Sequence, residues 1–211
     1  MGKTVYSIVL DDDVVEAIDT MAYRLGTNRS GLINSILAEK VALITPEQKR
    51  KLIINTVEGV ISQQDIFRIL QNDNNLTIKS SFKYKYNPSV KYTVILHKDI
   101  EYLGELRVTM RTQNENLLLE LENFLQLWSA MEKKYLKGRL SKAVTFSIEK
   151  GKYTRQLAYP KQEMTESQLG EVISDYIQGF DRIIKLYFTN KNSRQAEQEY
   201  VMLLNNSKGL I

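Results

Sequence analysis

Few side chains in this sequence are equipped for catalysis. It contains no cysteine and a single histidine, His97. Disulfides, thiolate zinc sites and cysteine nucleophiles are thereby excluded together, and any His-paired site has one residue to draw on. His97 ends a predicted strand beside Lys98-Asp99 and reads as structural. Asp11-Asp12-Asp13 is a run of carboxylates, but neighbouring acids at a helix start point in different directions, which suits capping rather than metal binding. No P-loop, dinucleotide fingerprint, HExxH or nucleophile-elbow motif occurs. The sequence therefore predicts no metal, no cofactor and no enzymatic activity. The remaining chemistry is polar recognition. Lys79, Lys83, Lys85 and Lys91 lie among Phe82, Tyr84, Tyr86 and Tyr92, a mixture that nucleic-acid surfaces use. Within a strand the two classes alternate, so the lysines share one face and the rings the other. The same pattern describes a half-buried strand with a solvated lysine face.

The elements that position these residues follow from periodicity. Lys3–Leu10 is short and β-branched and reads as a strand. Asp11 stands where a helix cap belongs, and Val14, Ile18, Met21, Ala22 and Leu25 recur at helical spacing until Gly26 stops the helix. Asn28 caps a second helix with Leu32, Ile33, Ile36, Leu37 and Val41 on one face. Thr45-Pro46-Glu47-Gln48 is a capping-box start with proline at the first helical position, predicting a third helix toward Glu58. A short fourth helix is expected after Ser62, with Ile66, Phe67 and Leu70 inward. The polar stretch 71–75 then reads as a domain boundary. Beyond it come strands over 76–86, 90–97 and 103–112, a long helix over 116–136, a hairpin of 143–150 and 153–159 around Gly151, a helix capped by Thr165 and ending near Phe188, and a last helix over 193–204. Trp128 and Met131 on the long helix read as core or dimer contacts. Short connections favour antiparallel pairing, so the fold class is α+β. Three segments are expected: 1–45, a connector over 46–75, and a βββ-α-ββ-α-α domain over 76–211.

The chain has 211 residues and a formal charge of +4. Residues 1–60 hold 7 Lys/Arg against 8 Asp/Glu, while the rest hold 22 against 17. Bulk positive charge is thus not the means by which the first segment acts. The 43% hydrophobic content fits a globular chain. No apolar run approaches the ~20 residues that span a bilayer, and no signal peptide is recognised, so a cytoplasmic protein without a membrane partner is expected.

Residues 3–43 resemble the ribbon-helix-helix family of DNA-binding proteins, of the MetJ, Arc and CopG type. The resemblance is carried by the alternating Tyr6-Ser7-Ile8-Val9-Leu10, the acidic helix start, Ile18-Asp19-Thr20-Met21-Ala22, Leu25-Gly26, and Asn28-Arg29-Ser30 followed by Leu32-Ile33. It covers about a fifth of the chain without a gap. It implies a homodimer in which the N-terminal strands of two chains pair over four interlocked helices, since a lone strand before two helices has no partner of its own. A two-stranded ribbon fits the major groove. Tyr6, Ile8 and Leu10 would then face the helices, and Lys3, Val5, Ser7 and Val9 the bases. Two of these four are valines, which contact a thymine methyl but donate no hydrogen bond. The start of the second helix would place Asn28, Arg29 and Ser30 on phosphates. Proteins of this layout are transcriptional repressors, or DNA-bound adaptors of plasmids and other mobile elements, with a further protein or small-molecule partner on the second domain.

Other readings compete. The N-terminal strand can be an edge of a larger sheet. Ala22, Gly26 and Leu32 also suit a helix-turn-helix, which would still bind DNA. The βββ-α-ββ-α order looks like the secretion-chaperone type of fold, which handles peptides. That alternative makes the protein an interaction module whose ribbon only dimerises.

Overall fold

The computed structural model describes residues 5–41, 43–72, 75–82, 88–98 and 101–211. Lys3, Lys83, Tyr84, Lys85 and Tyr86 lie outside them. The chain forms two compact units, residues 1–49 and residues 50–211, rather than parting at 71–75.

In the first unit α1 (Asp12–Arg24) and α2 (Arg29–Lys40) are joined by a tight turn. Asp11 holds the cap position of α1, but its side chain makes no cap bond; its carbonyl accepts from Val14 and Val15 instead. α1 ends as the sequence suggested. Gly26 has φ +62°, Gly26 N–H donates to Tyr23 O and Thr27 N–H to Ala22 O, a six-to-one and five-to-two closure that uses the last free carbonyls. Asn28 caps α2 by accepting from Gly31 N–H at 2.8 Å. Ahead of α1, residues 5–10 are exposed and belong to no strand. A strand exists by its ladder, and among the described residues this segment has no strand neighbour. The expected strand is therefore not formed within the chain, which begins with helices.

The second unit is α+β. α3 (Pro46–Ile61) leads into it, started by the Thr45–Gln48 box: Thr45 N–H donates to Gln48 Oε1 at 2.8 Å and Gln48 N–H to Thr45 Oγ1 at 3.2 Å. Then follow β1 (Phe67–Asn72), β2 (Asn75–Ser81), β3 (Ser89–Leu96), β4 (Gly104–Met110), α4 (Glu115–Tyr135), β5 (Phe146–Glu149), β6 (Lys152–Leu157), α5 (Glu166–Asn190) and α6 (Ser193–Asn206). The six strands form one antiparallel sheet in the order β1-β2-β3-β4-β6-β5. The expected short helix over Ile66–Leu70 is instead β1. Of its three inward residues only Phe67 is buried, while Ile66 and Leu70 are exposed. Asn72 pairs with Asn75, so the polar stretch joins two strands and separates no domains.

Alternation divides the sheet. Leu76, Ile78, Val90, Tyr92, Val94, Leu106, Val108, Tyr153 and Leu157 are buried on one face, against α4 and α5. The rings of Phe124, Trp128, Tyr92 and Tyr153 surround Phe180 of α5. α3 adds Ile53, Val57 and Ile61 to the same core. It reaches α5 closely because position 170 is glycine: a Cβ there would lie 2.6 Å from Thr56 Cβ and 2.9 Å from Ile53 O.

Two glycines give opposite expectations. Gly170→Ala should lower unfolding free energy by about 1–3 kcal/mol, because backbone must move to admit the methyl. Gly59, exposed within α3 with nothing within 4 Å of an added Cβ, should gain about 0.5–1 kcal/mol as alanine. Urea denaturation of both variants checks the pair; equal shifts would mean that α3 does not pack on α5 as described.

Candidate nucleic-acid interface

The residues that the sequence assigns to DNA lie on two stretches of the first unit. Val5, Ser7 and Val9 lie at alternate positions of the segment ahead of α1 and are exposed, the two valines at 94% and 100%. Tyr6, Ile8 and Leu10 fall from 83% to 37% toward α1. All six residues of the segment are exposed. Asn28, Arg29 and Ser30 form the start of α2, all exposed.

Their geometry is specific. Asn28 spends its carbonyl oxygen on the cap. Gly31 N–H is taken by that cap, and Leu32 N–H by Asn28 O; among the described residues no acceptor meets the N–H of Arg29 or Ser30. Those two donors and the helix dipole leave partial positive charge at the surface. Arg29 is not a free cation. Its Nε donates to Asp19 Oδ1 at 2.6 Å, and its Nη2 to Asp19 Oδ2. The hydrogen bond from Arg29 holds the Asp19 carboxyl below its ordinary range. The pair spans the Gly26 turn, and no local sequence pattern marks it. An exposed pair of this kind contributes little to stability, so a phosphate can compete for the guanidinium.

Apolar side chains in this unit lack cover. Of the ten residues assigned to the inner faces of α1 and α2, Ala22 and Leu32 are buried and Ile18 and Ile33 half-buried, while Val14, Met21, Leu25, Ile36, Leu37 and Val41 are exposed. Several of them line an open groove of about 950 Å³ along α1.

The second unit holds a buried polar cluster that the sequence did not reveal. Glu132 of α4 and Arg155 of β6 are both fully buried and paired at 2.9 Å. Glu132 also accepts from Tyr153 at 3.1 Å and Tyr176 at 2.8 Å, and Trp128 Nε1 donates to Tyr176 Oη at 3.0 Å. Arg155 donates onward to the carbonyls of Gln156 and Ile211. A second cluster joins Tyr92 to Asp181 at 2.9 Å, with Lys185 reaching Asp181 and Ser80 at 2.6 Å each. Both clusters tie helices to the sheet. Among the described residues no group of three or more His, Cys, Asp or Glu could hold a metal, and no helix is long and apolar enough to cross a membrane. His97 is half-buried at the end of β3, with its N–H on Leu103 O.

Comparison with family models, with curated proteins and with solved structures gave no match to the chain.

The buried phenols set an alkaline limit on stability. Burial first, and then the neighbouring carboxylates, push Tyr92, Tyr153, Tyr176 and Tyr200 above the ordinary phenol range. A group raised in the fold contributes fully below its unfolded value, about 10 for tyrosine, and loses that contribution as pH rises beyond it. Unfolding free energy should fall above about pH 10, by roughly 1.4 kcal/mol per pH unit for each such phenol. Tyr200 Oη has no hydrogen-bond partner among the described residues. Tyr200→Phe should therefore leave stability near pH 7 unchanged or slightly higher and make the alkaline decline shallower. Urea midpoints from pH 7 to 11 check this; an identical decline in both proteins would show that Tyr200 ionises without penalty.

Proposed function

We propose that the protein is a dimeric double-stranded DNA-binding protein, in which residues 5–10 of two chains pair as an antiparallel ribbon that enters the major groove. The observation that carries this is the state of the first unit: an exposed segment of alternating sequence that has no strand neighbour among the described residues, followed by two helices whose apolar faces are mostly uncovered. A second copy supplies both missing partners at once, a strand for the edge and an apolar face for α1 and α2. The resemblance of residues 3–43 to the ribbon-helix-helix family points the same way.

In this arrangement Lys3, Val5, Ser7 and Val9 face the bases. Ser7 and Lys3 carry the polar readout, and the valines select thymine methyls. Asn28, Arg29 and Ser30 hold phosphate, with the free N–H groups of Arg29 and Ser30 aimed at the anion. Asp19 then acts as a counterion that Arg29 must leave, or share, when phosphate arrives. The biological role we infer is repression of transcription, or adaptor work on a plasmid or other mobile element, with the second unit recognising a further partner.

Arg29 and Asp19 make the test. Arg29→Ala should weaken binding to every duplex about equally, since a phosphate contact carries no sequence information. The slope of log affinity against log salt should fall by ~1 per chain, and by ~2 in a symmetric dimer. Asp19→Asn frees the guanidinium and removes a carboxylate, so it should tighten binding by up to ~5-fold, the equivalent of an exposed pair. Fluorescence anisotropy with a cognate and a scrambled duplex at several salt concentrations reads both. Opposite signs for the two variants are expected. If neither changes the slope, α2 does not sit on phosphate; if the first unit dimerises and leaves duplex untouched, the ribbon serves assembly alone and the interaction-module reading replaces this one.

A further inference from the structure

The outer face of the sheet carries a row of cations that neither the fold nor the ribbon uses. Strand register sets Arg68 of β1 opposite Lys79 of β2, and Lys79 opposite Lys91 of β3. All three are exposed, and among the described residues none has an ion-pair partner. The other two cations of this face are matched, Arg107 by Glu105 and Lys152 by Glu149. The unmatched three are neighbours, with Cβ atoms of directly opposed residues about 5 Å apart, a placement in which like charges repel. Folding gains nothing from this row. A polyanion does, because it is offered three cations in a line about 10 Å long, two strand spacings. Beside the row Thr77 and Thr93 stand opposite each other, their hydroxyls 3.5 Å apart.

We propose that the outer face of β1–β3 binds the phosphate backbone of duplex DNA, as a contact separate from the first unit. Charge complementarity selects a polyanion. The side chains on this face select the backbone of a duplex. No aromatic ring lies there among the described residues, so unpaired bases find no stacking platform. Among the described residues its apolar members are Leu70 and the half-buried Ile95, too little to enter a lipid surface. The lysines that alternate with rings in the sequence thus divide as the strand period requires: Phe82 and Tyr92 are buried in the core, and Lys79 and Lys91 meet Arg68 outside. Arg68 joins them only because residues 67–72 are a strand. This proposal does not rest on the ribbon.

Lys79→Glu separates binding from folding. It places a carboxylate between Arg68 and Lys91, turning two repulsions into two attractions, so the thermal midpoint should stay level or rise. Binding of the full-length protein to a 30-base-pair random duplex should weaken at least tenfold at 50 mM salt, and the salt slope should fall by about 1–3 as one to three phosphate contacts are lost. Arg29→Ala is measured alongside. Loss of slope in Lys79→Glu with Arg29→Ala unaffected supports the sheet face and removes the ribbon reading. The reverse result overturns the sheet face and leaves the ribbon. Loss in both supports two contacts on DNA. Phosphatidylserine vesicles form a third arm: vesicle binding that depends on Lys79, with duplex binding unchanged, overturns the proposal in favour of a membrane partner. A wild-type protein that binds neither probe overturns it as well.

Discussion

Strand edges must be paired and apolar faces covered, and the two units meet these demands in different ways. Residues 50–211 meet them internally. Six strands share one ladder, the inner face lies under helices, and the rings around Phe180 fill the space between. Even the charges placed inside are matched. Glu132 accepts from Arg155, Tyr153 and Tyr176, so one carboxylate binds α4, β6 and α5 together. A buried pair of this kind resists loss of either partner more than it adds to stability, because the survivor is left as an unmatched charge. The first unit closes no such core. Its α1–α2 pair buries little beyond Ala22, Leu32 and Ala38, and its leading segment has no strand beside it. That deficit is the ground on which we propose a second copy of the chain as the complement.

Local signals in the sequence were legible wherever they were self-contained. The Thr45–Gln48 and Thr165–Gln168 caps, the Gly26 stop and the hairpin around Gly151 each depend on a few neighbouring residues, and each stands where its residue types predict. Strands β2, β3, β4 and β6 were legible because one face is buried and the other wet, which leaves alternation in the sequence. What was not legible depends on distant partners. Ile66-Phe67-Arg68-Ile69-Leu70 fits a helical turn or an edge strand equally well, and only β2 decides between them. The Asn/Asp stretch after it has the composition of a linker and the position of a hairpin. Glu132 and Arg155 carry the types of surface residues, and nothing nearby in sequence announces that they meet in the core.

The candidate site was legible in part for the same reason. Asn28 as a cap follows from its type and place. The Arg29–Asp19 pair requires the turn to bring two helices together, and it changes the chemistry from a free cation to one that must exchange partners. The cation row on the sheet combines three consecutive strands, the first of which has a sequence that also fits a helical turn. Its sign agrees with the charge distribution: residues 1–60 are slightly acidic, and the excess of Lys and Arg lies beyond them. In the proposed complex the first unit would supply geometry for the groove, and the second charge.

The proposed dimer depends on pairing between residues 5–10 of two chains. The absence of cysteine makes it directly measurable, by introducing single cysteines at positions 5 to 10 of the full-length protein, with Ser147→Cys as an exposed control, and following disulfide formation under mild oxidation. In an antiparallel ribbon about a two-fold axis, one position lies opposite its own copy, where Cα atoms about 4.5–5.5 Å apart suit a disulfide. The account predicts fast cross-linking at one position of the segment, falling steeply on either side, and slow cross-linking at position 147. Rates no faster than the control along the whole segment would contradict it.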